Sequence, residues 1–138
     1  MNRRIIAIAN QKGGVGKTTT SINLSSSLAH FNRRVLLIDM DPQANASRGL
    51  GLDSSILKNT IFDTFFNGAD VNRVIKKTVM KNLDILPSSL VLSRMDVEVS
   101  KREDHPYFML KNLLGHIKKS YDYIIIDTPP ALNVLTIN

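Results

Sequence analysis

Between Asn10 and Thr20 the chain reads Asn-Gln-Lys-Gly-Gly-Val-Gly-Lys-Thr-Thr-Thr, and the chemistry this run offers is phosphate binding. Glycines at 13, 14 and 16 let successive backbone N–H groups converge on one anion, because no Cβ obstructs a tight turn. A helix beginning just after them adds its unpaired N–H groups and the positive end of its dipole. Lys17 can place a mobile charge at terminal phosphates, and the Thr18 hydroxyl can reach a phosphate-bound Mg²⁺. The common P-loop has a glycine five positions before Gly16; here that position is Gln11, and Lys12 follows it. Two lysines therefore flank three glycines. Two further places bring carboxylates to the ends of apolar runs: Asp39 and Asp41, after Val35-Leu36-Leu37-Ile38, and Asp127, after Tyr123-Ile124-Ile125-Ile126. In an open α/β sheet, ligands bind at the carboxyl ends of the strands.

These groups need strands and helices to hold them. Arg4-Ile5-Ile6-Ala7-Ile8-Ala9 predicts a strand entering the glycine-rich turn, and Thr19 to His30 an amphipathic helix leaving it. Leu24, Leu28 and Phe31 make one stripe on that helix, while Ser25, Ser26 and Ser27 are small enough for close approach to a sheet. Val35 to Ile38, apolar on both faces, reads as a buried parallel strand, completing a right-handed βαβ unit with the first strand and helix. Pro42 ends that strand's extension. Ser47 to Asn59 reads as loop. Thr60 and Asp63 fit a capping box ahead of a helical face made by Ile61, Phe62, Phe65 and Phe66. Asp70 caps a short helix with Val71, Val74 and Ile75 inward, and Lys76, Lys77 and Lys81 face solvent. Leu83 to Pro87 reads as a short strand and Leu90 to Val99 as a helix. Asp104 caps another helix, Pro106 sits in its first turn, and Leu110, Leu113, Leu114 and Ile117 form its stripe. His105 and His116 have no metal-ligand spacing around them and read as surface residues.

At 138 residues and 43% hydrophobic content, the chain suits one domain. The absence of cysteine excludes disulfides, thiolate metal sites and iron–sulfur chemistry. Apolar runs of about five residues are far too short to span a bilayer. No signal peptide is legible, so the expectation is a cytoplasmic protein. The formal charge is +6, and the first 38 residues hold six Lys or Arg and no Asp or Glu. Beyond Lys12 and Lys17, those cations read as a solvated face that could also assist binding to nucleic acid or acidic lipid.

The Lys-Gly-Gly-Val-Gly-Lys-Thr loop resembles the deviant Walker A motif of the ParA/MinD group of dimeric ATPases. Asp39-Met40-Asp41-Pro42-Gln43 resembles the first switch of its ParA/Soj branch, and Asp127-Thr128-Pro129-Pro130 the Walker B aspartate leading into the second switch. The resemblance runs from residue 3 to 138. It implies an α/β fold, a parallel sheet flanked by helices of the deviant P-loop (SIMIBI-type) class. The chain would be the N-terminal portion, residues 1–138, of a single ParA-type domain cut short at its C-terminal side, with family members continuing for roughly as much again. The nucleotide is ATP with Mg²⁺, bound by Lys12, Gly13, Gly14, Val15, Gly16, Lys17, Thr18 and Thr19. Lys12 would reach the partner chain's phosphates across a dimer. Asp41 would help position the attacking water. Thr18 would meet the metal, and Asp127 would support it through its hydration water.

The implied role is chromosome or plasmid partitioning in the cytoplasm, at the nucleoid. ATP would close two subunits into a homodimer that binds DNA without sequence preference, and a ParB-type partner would stimulate hydrolysis; no membrane is expected. Two alternatives stand beside this. One is a truncated, non-catalytic nucleotide-binding or dimerising module. The other is a MinD-like ATPase that cycles on membranes.

Overall fold

In the computed structural model, the structure describes residues 2–9, 16–102 and 108–130. Lys12, Gly13, Gly14 and Val15 lie outside them, as do Asp104 and Pro106 of the predicted helix start and His105. The elements in chain order are β1 (Arg4–Ile8), α1 (Lys17–His30), β2 (Val35–Asp39), α2 (Asn45–Gly49), α3 (Ile61–Phe66), α4 (Val71–Val74), β3 (Lys76–Lys77) and β4 (Leu83–Leu86). A 3₁₀ turn (Leu90–Arg94), α5 (Met95–Ser100), α6 (Met109–Gly115) and β5 (Tyr123–Asp127) complete them.

Across the sheet the strands run β1-β5-β2-β4-β3. The first four are mutually parallel and β3 is antiparallel to β4. The sheet is therefore mixed and mostly parallel, with helices over both faces. Alternation along β2 shows how the faces are filled. Leu36 and Ile38 join Ile124 and Ile126 against α3, α5 and α6. Val35 and Leu37 join Ile85 and Ile125 against the α1 face. β2 and β4 are buried along their whole length, and each such Leu or Ile contributes about 1.5–3 kcal/mol by leaving water. β1 is the outermost parallel strand, and its Ile5 is 48% exposed.

The first helix meets the sheet through Ser21, Ser25 and Ala29, which are buried at four-residue spacing. Leu24 and Leu28 only flank this face, and Phe31 is 73% exposed. The predicted apolar stripe is thus displaced from the contact by small residues that let the backbones approach. Residues 45–49, read partly as loop from sequence, form α2, tucked beneath α1. A Cβ at Gly49 would come within 2.6 Å of Ile22 Cδ1, the tip of a flexible side chain that could turn aside. The short β3 was not legible either, since two consecutive exposed lysines carry no alternating apolar signal.

Two of the three capping predictions appear as drawn, the third, at Asp104, lying outside the described residues: Thr60 N donates to Asp63 Oδ2 at 2.8 Å, and Asn72 N to Asp70 Oδ1 at 2.9 Å. Leu110, Leu113, Leu114 and Ile117 are all buried. His116 is exposed, its Nδ1 2.8 Å from the Asn112 carbonyl.

Candidate functional site

The strand order decides what meets at the carboxyl end of the sheet. β5 lies between β1 and β2, so β1 and β2 do not pair with each other as a simple βαβ reading suggests. In register, Asp127 stands opposite both Ile8 and Asp39. One rung therefore carries the last residue of β1, from which the glycine-rich loop departs, and two of the three carboxylates singled out by sequence.

Gly16 closes the loop at φ +83° as the N-cap of α1, a left-handed conformation that glycine adopts without a Cβ clash. Its carbonyl accepts Thr20 N at 2.8 Å. This entry angle turns Thr18 toward the rung, where Thr18 Oγ1 donates to Asp127 Oδ2 at 2.8 Å. Ser21, one turn further along the same helical face, brings its Oγ to 3.0 Å from Asp127 Oδ1 and 2.9 Å from the Lys17 carbonyl. Thr128, the next residue, returns its Oγ1 to the Ile8 carbonyl at 2.7 Å, pinning the start of the Thr128-Pro129-Pro130 segment to the base of the loop.

Asp39 and Asp41 form a second, connected network. Asp41 N donates to Asp39 Oδ1 at 3.0 Å, while Ser47 N and Ser47 Oγ donate to Asp39 Oδ2 at 2.9 and 2.7 Å. Ser88 N in turn donates to Ser47 Oγ at 3.1 Å, tying the end of β4 to the same cluster. Asp41 Oδ1 accepts Gln43 N at 2.9 Å, an Asx turn that aims the carboxylate. The chain then passes through Ala44 at φ +56°, left-handed for a residue with a Cβ, at a cost of roughly 1–2 kcal/mol.

Burial pushes the Asp39 carboxyl up to about 7, against the pull of its Ser47 and Asp41 hydrogen bonds and with a small push from Asp127. Asp127 is also raised, first by burial and further by Asp41; the Thr18 and Ser21 hydroxyls and Lys17 oppose this. Among the described residues none of Asp39, Asp41 and Asp127 lies within ion-pair distance of a cation. Asp39 accordingly keeps its proton up to about neutral pH, while Asp41 and Asp127 are served by hydroxyls and amides, with Lys17 acting on Asp127 through space.

Lys17, Thr18, Thr19, Asp41, Gln43 and Pro130 line one open cavity of about 430 Å³. A larger cleft of about 700 Å³ lies beyond Pro42 and Gln43, walled by Phe62, Phe66, Leu90 and Arg94. Its acidic groups are engaged in structural work, Asp63 in the cap of α3 and Glu98 with Arg94 and Lys101. The convergence of reactive groups is in the smaller cavity.

Of the sequence-predicted site residues, the structure brings together Gly16, Lys17, Thr18, Thr19, Asp41 and Asp127. Ser21 and Ser47 were missed, and Asp39 and Thr128 were quoted without a role of their own. Ser21 had a legible signal, since three residues after Thr18 is the same helical face. Ser47 had none, because its contact depends on α2 folding back over β2.

Hard oxygen donors at Thr18 and Asp127, with excess negative charge behind them, suit Mg²⁺. Among the described residues no group of three or more His, Cys, Asp or Glu could itself cage a metal.

A parallel-sheet strand, a glycine-rich turn, a Lys-Thr helix start and an aspartate on the neighbouring strand define a P-loop nucleotide-binding protein. The chain belongs to the AAA domain family, whose model matches residues 3–138. It is 47% identical over 135 residues to the sporulation initiation inhibitor protein Soj of Bacillus subtilis, which covers 98% of this chain and 53% of Soj. It is 45% identical over 135 residues to the chromosome partitioning protein ParA of Myxococcus xanthus, covering 98% of this chain and 47% of that one. Among solved structures, a Mycobacterium smegmatis protein described as cobyrinic acid a,c-diamide synthase, with bound ADP and magnesium, superposes with a TM-score of 0.94 at 34% identity. It covers 99% of this chain and 55% of that one. The chain thus spans about half the length of the curated relatives it matches. No helix among the described residues is long and apolar enough to cross a membrane.

Proposed function

We propose that this chain carries the nucleotide site of a chromosome- or plasmid-partitioning ATPase, within one ParA-type domain. The observation that carries the reading is the rung at which Thr18 Oγ1 bonds Asp127 Oδ2 beside a cavity also lined by Lys17 and Asp41. Relatives named Soj and ParA at 45–47% identity support partitioning over the synthase description attached to a 34% identical structure.

In this reading the loop from Lys12 to Thr19 holds the phosphates of ATP. Lys17 neutralises the terminal ones, and Thr18 supplies an oxygen to Mg²⁺. Mg²⁺, where bound through Thr18, would supply positive charge against the charge developing on the phosphates. Asp127 orients Thr18 and accepts hydrogen bonds from water around the ion. Asp41, aimed by its Asx turn, accepts a hydrogen bond from the attacking water and sets its line of approach. Lys12 acts across a homodimer on the partner's nucleotide, as a cation supplied in trans to the transition state. ATP-bound dimers bind DNA without sequence preference in the cytoplasm, at the nucleoid, and a ParB-type partner accelerates hydrolysis.

The test is complementation between two inactive variants, Lys12→Ala and Lys17→Ala. Each mixed dimer contains one site with Lys17 intact and Lys12 contributed by the other subunit. ATP turnover in the mixture above the sum of the separate variants is the expected result. Full turnover by Lys12→Ala alone, with dimerisation unchanged in light scattering, refutes the assignment.

A further inference from the structure

The segment from Asp41 to Ser47 leaves the carboxyl end of β2, carries Asp41 and Gln43 past the nucleotide cavity and returns in α2. Asp41 can direct a water only if both ends of this segment are fixed. The near end is fixed by the sheet: Met40 N donates to the Asp127 carbonyl at 2.8 Å, and Asp41 N to Asp39 Oδ1 at 3.0 Å. The far end rests on α2, which has five residues and no side-chain cap. A helix of that length does not hold itself together in water. It needs a tie from outside.

That tie is Ser47. Its N–H and its hydroxyl both donate to Asp39 Oδ2, at 2.9 and 2.7 Å. The other oxygen of the same carboxylate accepts Asp41 N. One side chain therefore holds both ends of the segment. The Ser47 oxygen also accepts Ser88 N at 3.1 Å, just beyond the end of β4. Its neighbour Pro87 is anchored in turn, its carbonyl accepting Ile61 N at 2.8 Å where α3 begins. Asp39, Ser47 and Ser88 are all fully buried, so a bond lost among them is not replaced by bulk water. Ser47 thus fastens the Asp41 segment to two strands, yet it does not line the nucleotide cavity.

Alanine at position 47 would keep the backbone bond to Asp39 and the carbonyl that accepts Leu52 N. Only the hydroxyl's span from Asp39 to Ser88 would go. The Ser88 amide would then lack its acceptor, and Asp39 Oδ2 would keep a single donor. A shift of α2 relieves this, and it carries Gln43 along. Because Gln43 N donates to Asp41 Oδ1 at 2.9 Å, the Asp41 carboxylate moves too. An ångström of misplacement at a reacting group costs about a hundredfold in rate. Lys17, Thr18 and Thr19 belong to α1, so the phosphate site is not displaced with it.

We propose that Ser47 is a positioning residue for ATP hydrolysis: its hydroxyl, held between Asp39 and the Ser88 amide, sets the aim of Asp41 without touching nucleotide. The role deepens the ATPase reading above and rests on it.

The experiment follows phosphate release from γ-labelled ATP, and ATP affinity by titration, in the full chain as wild type, Ser47→Ala, Asp41→Asn and the double variant. Ser47→Ala should lower turnover about tenfold to a hundredfold and leave affinity within about twofold. In the Asp41→Asn background it should lower turnover no further, because the charge it aims is already gone. Amide exchange without nucleotide is a second readout. Asp41 and Gln43 should exchange at least about tenfold faster in Ser47→Ala, while Met40, held by the Asp127 carbonyl, keeps its wild-type rate. Thr78→Val controls for lost stability alone. It removes a hydroxyl that donates to the Leu83 carbonyl at 2.8 Å at the opposite end of the sheet, and should leave turnover unchanged. If circular dichroism shows Ser47→Ala unfolded, Ser47→Thr and Ser47→Val, alike in shape, replace it, and the threonine form must turn over at least about tenfold faster. Wild-type turnover in Ser47→Ala while Asp41→Asn is impaired, or an equal loss in both Asp41 backgrounds, overturns the role of Ser47 and leaves the ATPase reading standing. Full turnover in Asp41→Asn, or none in wild type, removes that reading and the positioning role with it.

Discussion

Both ends of the sheet bury a carboxylate, and they treat it in opposite ways. At the amino end, Asp84 is 6% exposed and is met by Lys119 Nζ at 2.6 Å and Tyr121 Oη at 2.7 Å. It has a cation and a donor, and nothing further is demanded of a ligand. At the carboxyl end, Asp39 and Asp127 are fully buried and Asp41 nearly so, yet their partners there are hydroxyls and amides. Burying charge without a counter-charge is costly. Asp39 escapes that cost by holding its proton up to about pH 7, which leaves Asp41 and Asp127 as the carboxylates without an ion-pair partner among the described residues. Other cations at the amino end, among them Arg33, Lys77 and Lys81, keep their charge in water, where it costs little.

The largest effect that could break this contrast is at Lys17. Lys17→Ala leaves phosphates facing Asp41 and Asp127 without their nearest cation. ATP affinity in Mg²⁺ should fall at least about a hundredfold, on the order of 3 kcal/mol or more. Unchanged affinity in a binding titration would mean that the carboxyl end is not the phosphate site.

Next comes Asp41→Asn, which keeps an acceptor for Gln43 N but removes the charge near the attacking water. Binding should persist while turnover falls by about 10²–10⁴. Equal losses in affinity and turnover would make Asp41 a residue of the turn and not of the reaction.

Much of this end was legible in the sequence because loop and carboxylates are local motifs with fixed backbone demands. Lys17, Thr18, Asp41 and Asp127 each sit in a run of residues whose spacing implies their placement. What escaped the reading depends on tertiary packing. The order β1-β5-β2 put Asp127 between the other two strands, and the fold of α2 delivered Ser47 to Asp39. Periodicity also misled at α1. Leucines marked a stripe, but the closest contact with the sheet is made by Ser21, Ser25 and Ala29, chosen for small volume rather than hydrophobicity.

Asp39 sharpens the comparison through pH. Its carboxyl moves from 3.8 to about 7 on folding, so the folded state holds its proton over a range in which the unfolded chain has released it. Its contribution to stability is full below 3.8 and is lost as pH rises through about 7. Asp39→Asn removes the titration and sets an amide against the Ser47 or Asp41 donors, costing about 1–3 kcal/mol. The stability difference between wild type and variant, from denaturant unfolding, should shrink from acid to neutral pH. A constant difference would show that Asp39 does not titrate in this window.

The smallest expected effect is at the other buried carboxylate. Tyr121→Phe removes the hydroxyl that donates to Asp84 but leaves Lys119 in place. Burial, helped by that bond and the Asp84 charge, raises the Tyr121 hydroxyl well above the usual phenol range. It therefore remains a donor throughout neutral and mildly alkaline pH, and its loss should be felt equally across that range. Because the lysine still compensates the charge, the cost should stay at about 1–2 kcal/mol. A loss beyond about 3 kcal/mol would mean that Lys119, whose side chain is 53% exposed, does not neutralise Asp84. The two ends of the sheet would then be alike in leaving buried charge uncompensated. Denaturant unfolding of Tyr121→Phe beside Lys119→Met separates these outcomes. If the lysine carries the compensation, removing it must cost more than removing the phenol hydroxyl.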